Sequence, residues 1–189
     1  MVRRDAAAGD DRAPRENPCV LRLTDRLQLR EFRDDDLDDL AAMVADGEQM
    51  RFYPRPKTRA EAAAWISRNR ALYEECGFGF WSIAARATSE FLGYCGIRPL
   101  ALADTSEIEI GWHTRRASWN RGIATEAAMA VRDEAFHRFR LPRLVAIIHP
   151  DHRASHRVAE KIGMRYERTT IVEDFRVVVY GAAAASATT

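Results

Sequence analysis

Between residues 119 and 125 the chain reads Trp119-Asn120-Arg121-Gly122-Ile123-Ala124-Thr125. Upstream, residues 107–112 alternate charge with isoleucine, which is the period of a strand. Downstream, Gly122 to about Arg138 stacks Ala124, Ala128, Val131 and Ala135 on one face, which is the period of a helix. The segment therefore joins a strand to a helix. Gly122 and Ala124 remove side-chain bulk, so the backbone can approach a ligand closely. The N–H groups that open a helix have no intrahelical partner and point outward with the positive end of the dipole. Such a loop binds phosphate. The charge distribution agrees. Residues 113–143 hold seven arginines against three acids, a net +4, whereas the rest of the chain sums to −3. An ordinary helix start with solvated arginines would carry the same residues, so the loop alone leaves both readings open.

Working outward, Leu27 and Leu29 alternate with polar neighbours and predict a first strand over 21–32. Asp34–Asp36 supply capping carboxylates for a helix carrying Leu37, Leu40, Ala41 and Val44. Thr58 and Glu61 form a capping box before a second helix over 59–74. Residues 80–85 and 91–97 flank Thr88-Ser89-Glu90 as a hairpin, and Gly93 and Gly96 mark a bulge or a close backbone approach. The apolar run 144–148 reads as a strand buried on both faces. Arg153–Ile162 is helical and closes at Gly163. Two last strands, 164–171 and 175–180, form a hairpin. Strands interrupted by helices imply a mixed α/β sheet with a parallel portion. Residues 1–17 read as a disordered arm, 18–181 as one folded domain and 182–189 as a flexible tail.

The chain has 189 residues, 47% of them apolar and 30% charged, with a net charge of +1. That is an ordinary globular composition, and too balanced for a general nucleic-acid or anionic-membrane binder. Three widely spaced cysteines (Cys19, Cys76, Cys95) make neither a disulfide scaffold nor a zinc ribbon and read as buried free thiols. No apolar stretch approaches the ~20 residues of a membrane-spanning helix. The N-terminal residues lack a secretory apolar core, and the expected location is the cytoplasm.

The 119–125 segment resembles the acyl-CoA pyrophosphate loop of the GNAT N-acetyltransferase superfamily, Q/R-x-x-G-x-G/A. Other matches follow in order. Residues 24–30 resemble the opening strand of the ribosomal-protein (RimJ/RimL-like) branch, and residues 109–112 its fourth strand. Residues 149–155, then 158–164, resemble its fifth strand and following helix. Two positions depart from the pattern. Trp119 replaces Gln or Arg, which looks usual for this branch, and His152 stands where the branch normally has Asn.

The resemblance implies a single-domain GNAT fold: a mixed, mostly antiparallel sheet of about seven strands, about four helices, and a parallel pair of fourth and fifth strands that splays apart. It implies acetyl-CoA as cosubstrate, its pantetheine arm against the fourth strand near Ile110 and Trp112. The pyrophosphate would lie on Trp119, Asn120, Arg121, Gly122, Ile123, Ala124 and Thr125, with further contacts at His152. Transfer to a primary amine, on a protein N-terminus or a small molecule, would be direct and without an acyl-enzyme. Amines titrate at about 7.7–8.0 (α-amino) or about 10.4 (lysine), so a base helps. Glu109 is the candidate, with Glu107 the alternative on the same side of the strand. A strand N–H would serve the oxyanion. Ser155 matches the position of the thiol partner or proton donor; the alternative is a helix-start serine satisfying its own backbone. Arg51, Tyr53 and Trp65 are acceptor-side candidates, and Glu167, Glu173 and Asp174 sit where they would attract a cationic acceptor.

Other function classes fit less well. His149, His152 and His156 carry a suggestive spacing, but Pro150 breaks the element that would align them, so no metal is expected. A non-catalytic acyl-CoA sensor or complex subunit is the alternative function. An RNA-binding module would need aromatics interleaved with the arginines. A homodimer is a common arrangement for such an enzyme.

Overall fold

The computed structural model describes residues 20–102, 105–172 and 174–185. The elements are β1 (Val20–Leu23), β2 (Leu27–Arg30), α1 (Leu37–Ala45), α2 (Arg59–Cys76), β3 (Phe80–Ala85), β4 (Phe91–Leu102), β5 (Thr105–Thr114), α3 (Ile123–His137), β6 (Arg143–Ile148), α4 (Arg153–Lys161), β7 (Arg165–Val172) and β8 (Phe175–Ala183). The strands form one sheet in the order β1-β2-β3-β4-β5-β6-β8-β7. Neighbours run antiparallel except β5 and β6, which are parallel. This is the expected mixed sheet with four helices.

The sheet has eight strands instead of seven, because the expected strand over 21–32 is two strands. Thr24 N donates to Leu27 O (2.9 Å), and Leu27 N donates back to the Thr24 hydroxyl (2.9 Å), which closes a turn. Leu21, Leu23, Leu27 and Leu29 keep one parity across that turn, so alternation does not reveal it. The expected splayed pair is accordingly β5/β6. The tail also begins later than 182: Ala182 and Ala183 pair with Leu144 and Arg143 as the end of β8. The expected arm at 1–17, residues 186–189 and Glu173 lie outside the described residues. Of the cysteines described, Cys95 is buried as expected, but Cys76, at the end of α2, is exposed.

The sheet divides two layers of helices. Ile108, Ile110 and Trp112 of β5 pack with Ile123, Ala127 and Val131 of α3. On the opposite face, Phe80, Phe91 and Tyr94 pack with Leu40, Val44 and Ile66 of α1 and α2. Alternation puts Glu107, Glu109 and His113 on this second face. α2 starts as expected, with the Thr58–Glu61 capping box in place. The hairpin glycines also have their reason. Gly93 adopts φ +143°, and a Cβ there would stand 2.2 Å from His113 O; a Cβ on Gly96 would stand 2.2 Å from Phe80 Cα. No described helix is long and apolar enough to cross a membrane.

Candidate active site

The site begins where β5 and β6 part. Their ladder holds one register pair, Glu109 with Val145. Arg115 N donates to Leu92 O (2.9 Å), so that in-register pair bonds directly across β4 and β5. Antiparallel alternation then turns His113, Gly111 and Glu109 toward β4, and the N–H and C=O of Trp112 toward β6. Beyond Glu109 that side of β5 has no strand pairing. The result is an open backbone edge inside the sheet.

Facing it is the loop before α3. Trp119 Nε1 donates to Thr114 O (2.8 Å), tying the loop to the end of β5. Asn120 (φ +58°) and Gly122 (φ +77°) are both left-handed, which curls the chain into the helix start. The first α3 bond is Glu126 N to Gly122 O (3.0 Å), so the N–H groups of Ile123, Ala124 and Thr125 precede it. The β1–β2 turn buttresses the loop from behind. Arg26 donates to Arg121 O (3.0 Å) and to Glu126 Oε2 (2.7 Å), and the Thr24 hydroxyl donates to Glu126 Oε1 (2.6 Å). Burial alone would raise the Glu126 carboxyl; hydrogen bonds from Thr24 and Arg26 outweigh it and hold it below the usual range.

α4 closes the third side. His152 is its N-cap, and Nδ1 accepts from Ser155 N (3.1 Å). Burial, with Arg51, His156 and His149 close by, lowers the His152 pKa and keeps the ring neutral. With Nδ1 accepting, the ring proton sits on Nε2, 3.4 Å from Ser155 Oγ.

These three elements enclose a cavity of about 410 Å³. Trp112, Trp119, Asn120, Gly122, Ile123, Ala124, Thr125, His152 and Ser155 all line it, so the structure brings most of the predicted residues together. Three stand apart. The Ile110 side chain is 1% exposed in the α3 core, Arg121 is exposed with its carbonyl turned to Arg26, and Glu109 is paired with Arg98. The wall also holds Ser118, 2% exposed, whose hydroxyl has no partner among the described residues. A buried hydroxyl without a partner is costly unless a ligand or water satisfies it. The orphaned hydroxyl, the open strand edge and the helix-start N–H groups together fit a long polar ligand ending in phosphate.

A second cavity, about 270 Å³, lies on the α1/α2 side and includes Tyr53, Trp65 and Tyr94. The two cavities meet at an aromatic cluster. Tyr94 OH is 3.3 Å from His113 Nδ1, and the Tyr53 ring stacks on His113 with centroids 5.4 Å apart. Burial raises the Tyr94 pKa, with Tyr53 and Glu109 adding to it; the Tyr53 ring, 42% exposed, shifts in the same direction. Burial and the nearby His152 lower His113 to about 4. All three groups are therefore neutral near pH 7. Arg51 lines the larger cavity instead, pairs with Glu48 and lies over the Phe52 ring.

The two candidate carboxylates occupy different settings. Glu109 accepts from Arg98 Nε (2.6 Å), close enough to Tyr53 and Tyr94 to bear on their ionisation. Glu107 pairs with Arg143 (3.2 Å), which also grips Glu167 at 2.7 and 2.6 Å. Glu167 is thus committed to the sheet, and Asp174 is an exposed turn residue. The histidines do not converge: His156 contacts Tyr180 OH (3.2 Å) and Pro150 O (3.0 Å), while His152 caps α4. No local sequence signal marks Tyr94 or the Arg26 buttress, and His113 has only a weak one. The period-2 pattern Glu107, Glu109, Gly111, His113 carries it.

Residues 26–165 match the family model of the acetyltransferase (GNAT) domain. The chain belongs to the GNAT acetyltransferase family. It is 36% identical over 148 residues to the uncharacterized protein YkkB of Bacillus subtilis, covering 78% of this chain and 86% of that one. It is 32% identical over 146 residues to the uncharacterized N-acetyltransferase YoaA of the same organism, covering 76% and 82%. Among solved structures, RimL, a ribosomal L7/L12 α-N-protein acetyltransferase in complex with coenzyme A, has the same fold, with a TM-score of 0.72 at 16% identity, covering 87% of this chain and 98% of that one. In this GNAT chain the matched region spans the buttress at Arg26, the loop at 119–125 and all of α4.

Proposed function

We propose that this acetyltransferase moves an acetyl group from acetyl-CoA to a primary amine by direct attack within a ternary complex. The observation that carries this reading is the open β5 edge facing the 119–125 loop across one cavity, which backs onto a second cavity at Tyr53, Tyr94 and His113. The loop N–H groups and Ser118 would hold the phosphates, and the Trp112 backbone would hold the pantetheine arm. Acetyl-CoA supplies an activated thioester. The amine nitrogen bonds to its carbonyl carbon as the C–S bond breaks. The ammonium first gives one proton to Glu109, directly or through water; as the tetrahedral intermediate collapses the nitrogen loses a second proton, and the departing thiolate gains one from the Ser155 hydroxyl, which is replenished by that second proton through water.

Calorimetric titration with acetyl-CoA, compared with AMP, is the first test. Thiol release in the presence of primary amines is the second. Saturable acetyl-CoA binding and amine-dependent thiol release are expected. Glu109→Gln should lower kcat by about a hundredfold. Ser155→Ala should lower turnover more than it weakens acetyl-CoA binding. Binding without turnover on any primary amine would sink the transfer reading; unchanged turnover in either variant would remove that residue from it.

A further inference from the structure

We propose that the amine acceptor has an apolar body bearing an anionic group at its far end, which Lys57 and Arg68 hold at the mouth of the smaller cavity. This deepens the acetyl-transfer reading above and rests on it.

The cavity wall is apolar and aromatic. Leu40 and Val44 come from α1, Met50 and Tyr53 from the α1–α2 connection, and Tyr94 from β4. α2 contributes Glu61, Ala64, Trp65 and Arg68, spaced i, i+3, i+4 and i+7, one face of a helix. A dry apolar cavity of about 150 Å³ accepts a benzene ring. About 270 Å³ therefore takes one ring, or an aliphatic body of similar size, with an arm.

The charges on this wall are unequally committed. Glu61 accepts from Arg55 at 2.7 and 3.0 Å and from Thr58 N at 2.8 Å, and these bonds lower its pKa to about 2. It is spoken for. Lys57 and Arg68 have no carboxylate partner among the described residues. The Lys57 backbone is pinned by its N–H to Val44 O (2.8 Å), and its half-buried side chain lines the cavity together with the exposed Arg68. At the inner end, Tyr53, Tyr94 and His113 are neutral, so positive charge is offered at the mouth. A diamine or polyamine would place its second ammonium beside two cations. An acceptor with a carboxylate there would complete two ion pairs while its amine reaches the aromatic cluster.

The test uses three amines sharing one ring: 4-(aminomethyl)benzoate, benzylamine and 1,4-bis(aminomethyl)benzene. Each is titrated into full-length protein saturated with CoA, and acetylation is assayed in parallel. The benzoate should bind about fivefold more tightly than benzylamine for each cation engaged, the upper end for one exposed ion pair. The diamine should bind more weakly than benzylamine. Lys57→Glu and Arg68→Glu should each reverse the order of benzoate and diamine while acetyl-CoA affinity stays the same. Equal or reversed affinities on the native protein, or an order that survives both substitutions, would overturn the proposal. The expected order without acetylation of any amine would overturn acetyl transfer but keep the ligand class. Acetylation of all three with flat affinities would do the opposite.

Discussion

Replacing Arg26 with alanine should loosen the 119–125 loop without unfolding the domain. Its guanidinium donates to Glu126 Oε2 at 2.7 Å and to Arg121 O at 3.0 Å. The Arg26 side chain is 52% exposed and that of Glu126 20%, so the ion pair is discounted to about 0.2–1 kcal/mol. The bond to a carbonyl adds about 0.5–1.5 kcal/mol. A loss near 1.5 kcal/mol should lower Tm by about 3–6 °C in a chain of this size. The effect on binding is separate. With its carbonyl released, Arg121 must be fixed again when ligand arrives, and fixing one residue costs about 1–2 kcal/mol. Acetyl-CoA should therefore bind roughly tenfold more weakly, since 1.4 kcal/mol is a factor of ten. Thermal denaturation and calorimetric titration of the same preparation read both quantities. Arg26→Lys keeps a charge for Glu126 but loses the second donor, and should fall between. A variant that melts lower yet binds acetyl-CoA like the native protein would refute the idea that this turn shapes the loop.

Two further outcomes are expected. His113 has a folded pKa of about 4 against an ordinary 6.5, so below pH 6.5 the unfolded chain takes up a proton that the folded one refuses. Stability should fall on the order of 3 kcal/mol between pH 6.5 and 4 and then level, and His113→Gln should flatten that slope in urea denaturation; parallel slopes would refute it. Replacing the α4 cap, His152→Ala should cost about 1 kcal/mol and His152→Asn close to nothing by thermal melting, and equal losses in both would show that the cap bond to Ser155 N contributes little.

What the sequence made legible was what repeats locally. The alternation at 107–112, the α3 face through Ala128, Val131 and Ala135, and the Thr58–Glu61 box all appear where their periods put them. The turn at 24–26 was hidden because its leucines keep parity on either side. Its role was also hidden, since Arg26 and Glu126 are 100 residues apart. The same distance in sequence concealed how Glu107 and Glu109 differ. Both lie on one face of β5, and alternation cannot tell them apart. Arg143, 36 residues away, claims Glu107, while Arg98 holds Glu109 beside the tyrosines. Period reports which face a residue takes; partners from other strands decide what it is free to do.

His152 stands at a position where the sequence pattern calls for asparagine, and the structure shows why the imidazole serves. A helix start needs an acceptor, and a neutral ring offers one lone pair, used here for Ser155 N at 3.1 Å. That choice leaves the proton on the other nitrogen. An amide would cap equally well. Burial lowers the pKa of His152 and of His113, so both sides of the aromatic cluster stay uncharged at neutral pH. A positive charge at either place would raise the cost of keeping an ammonium in the second cavity, and of moving its proton. The nearby Glu109–Arg98 pair carries no net charge. On the proposed reading, an amine entering between Tyr53 and Tyr94 would meet a neutral wall with one fixed carboxylate behind it, a setting that would let loss of its proton and attack on a thioester proceed together.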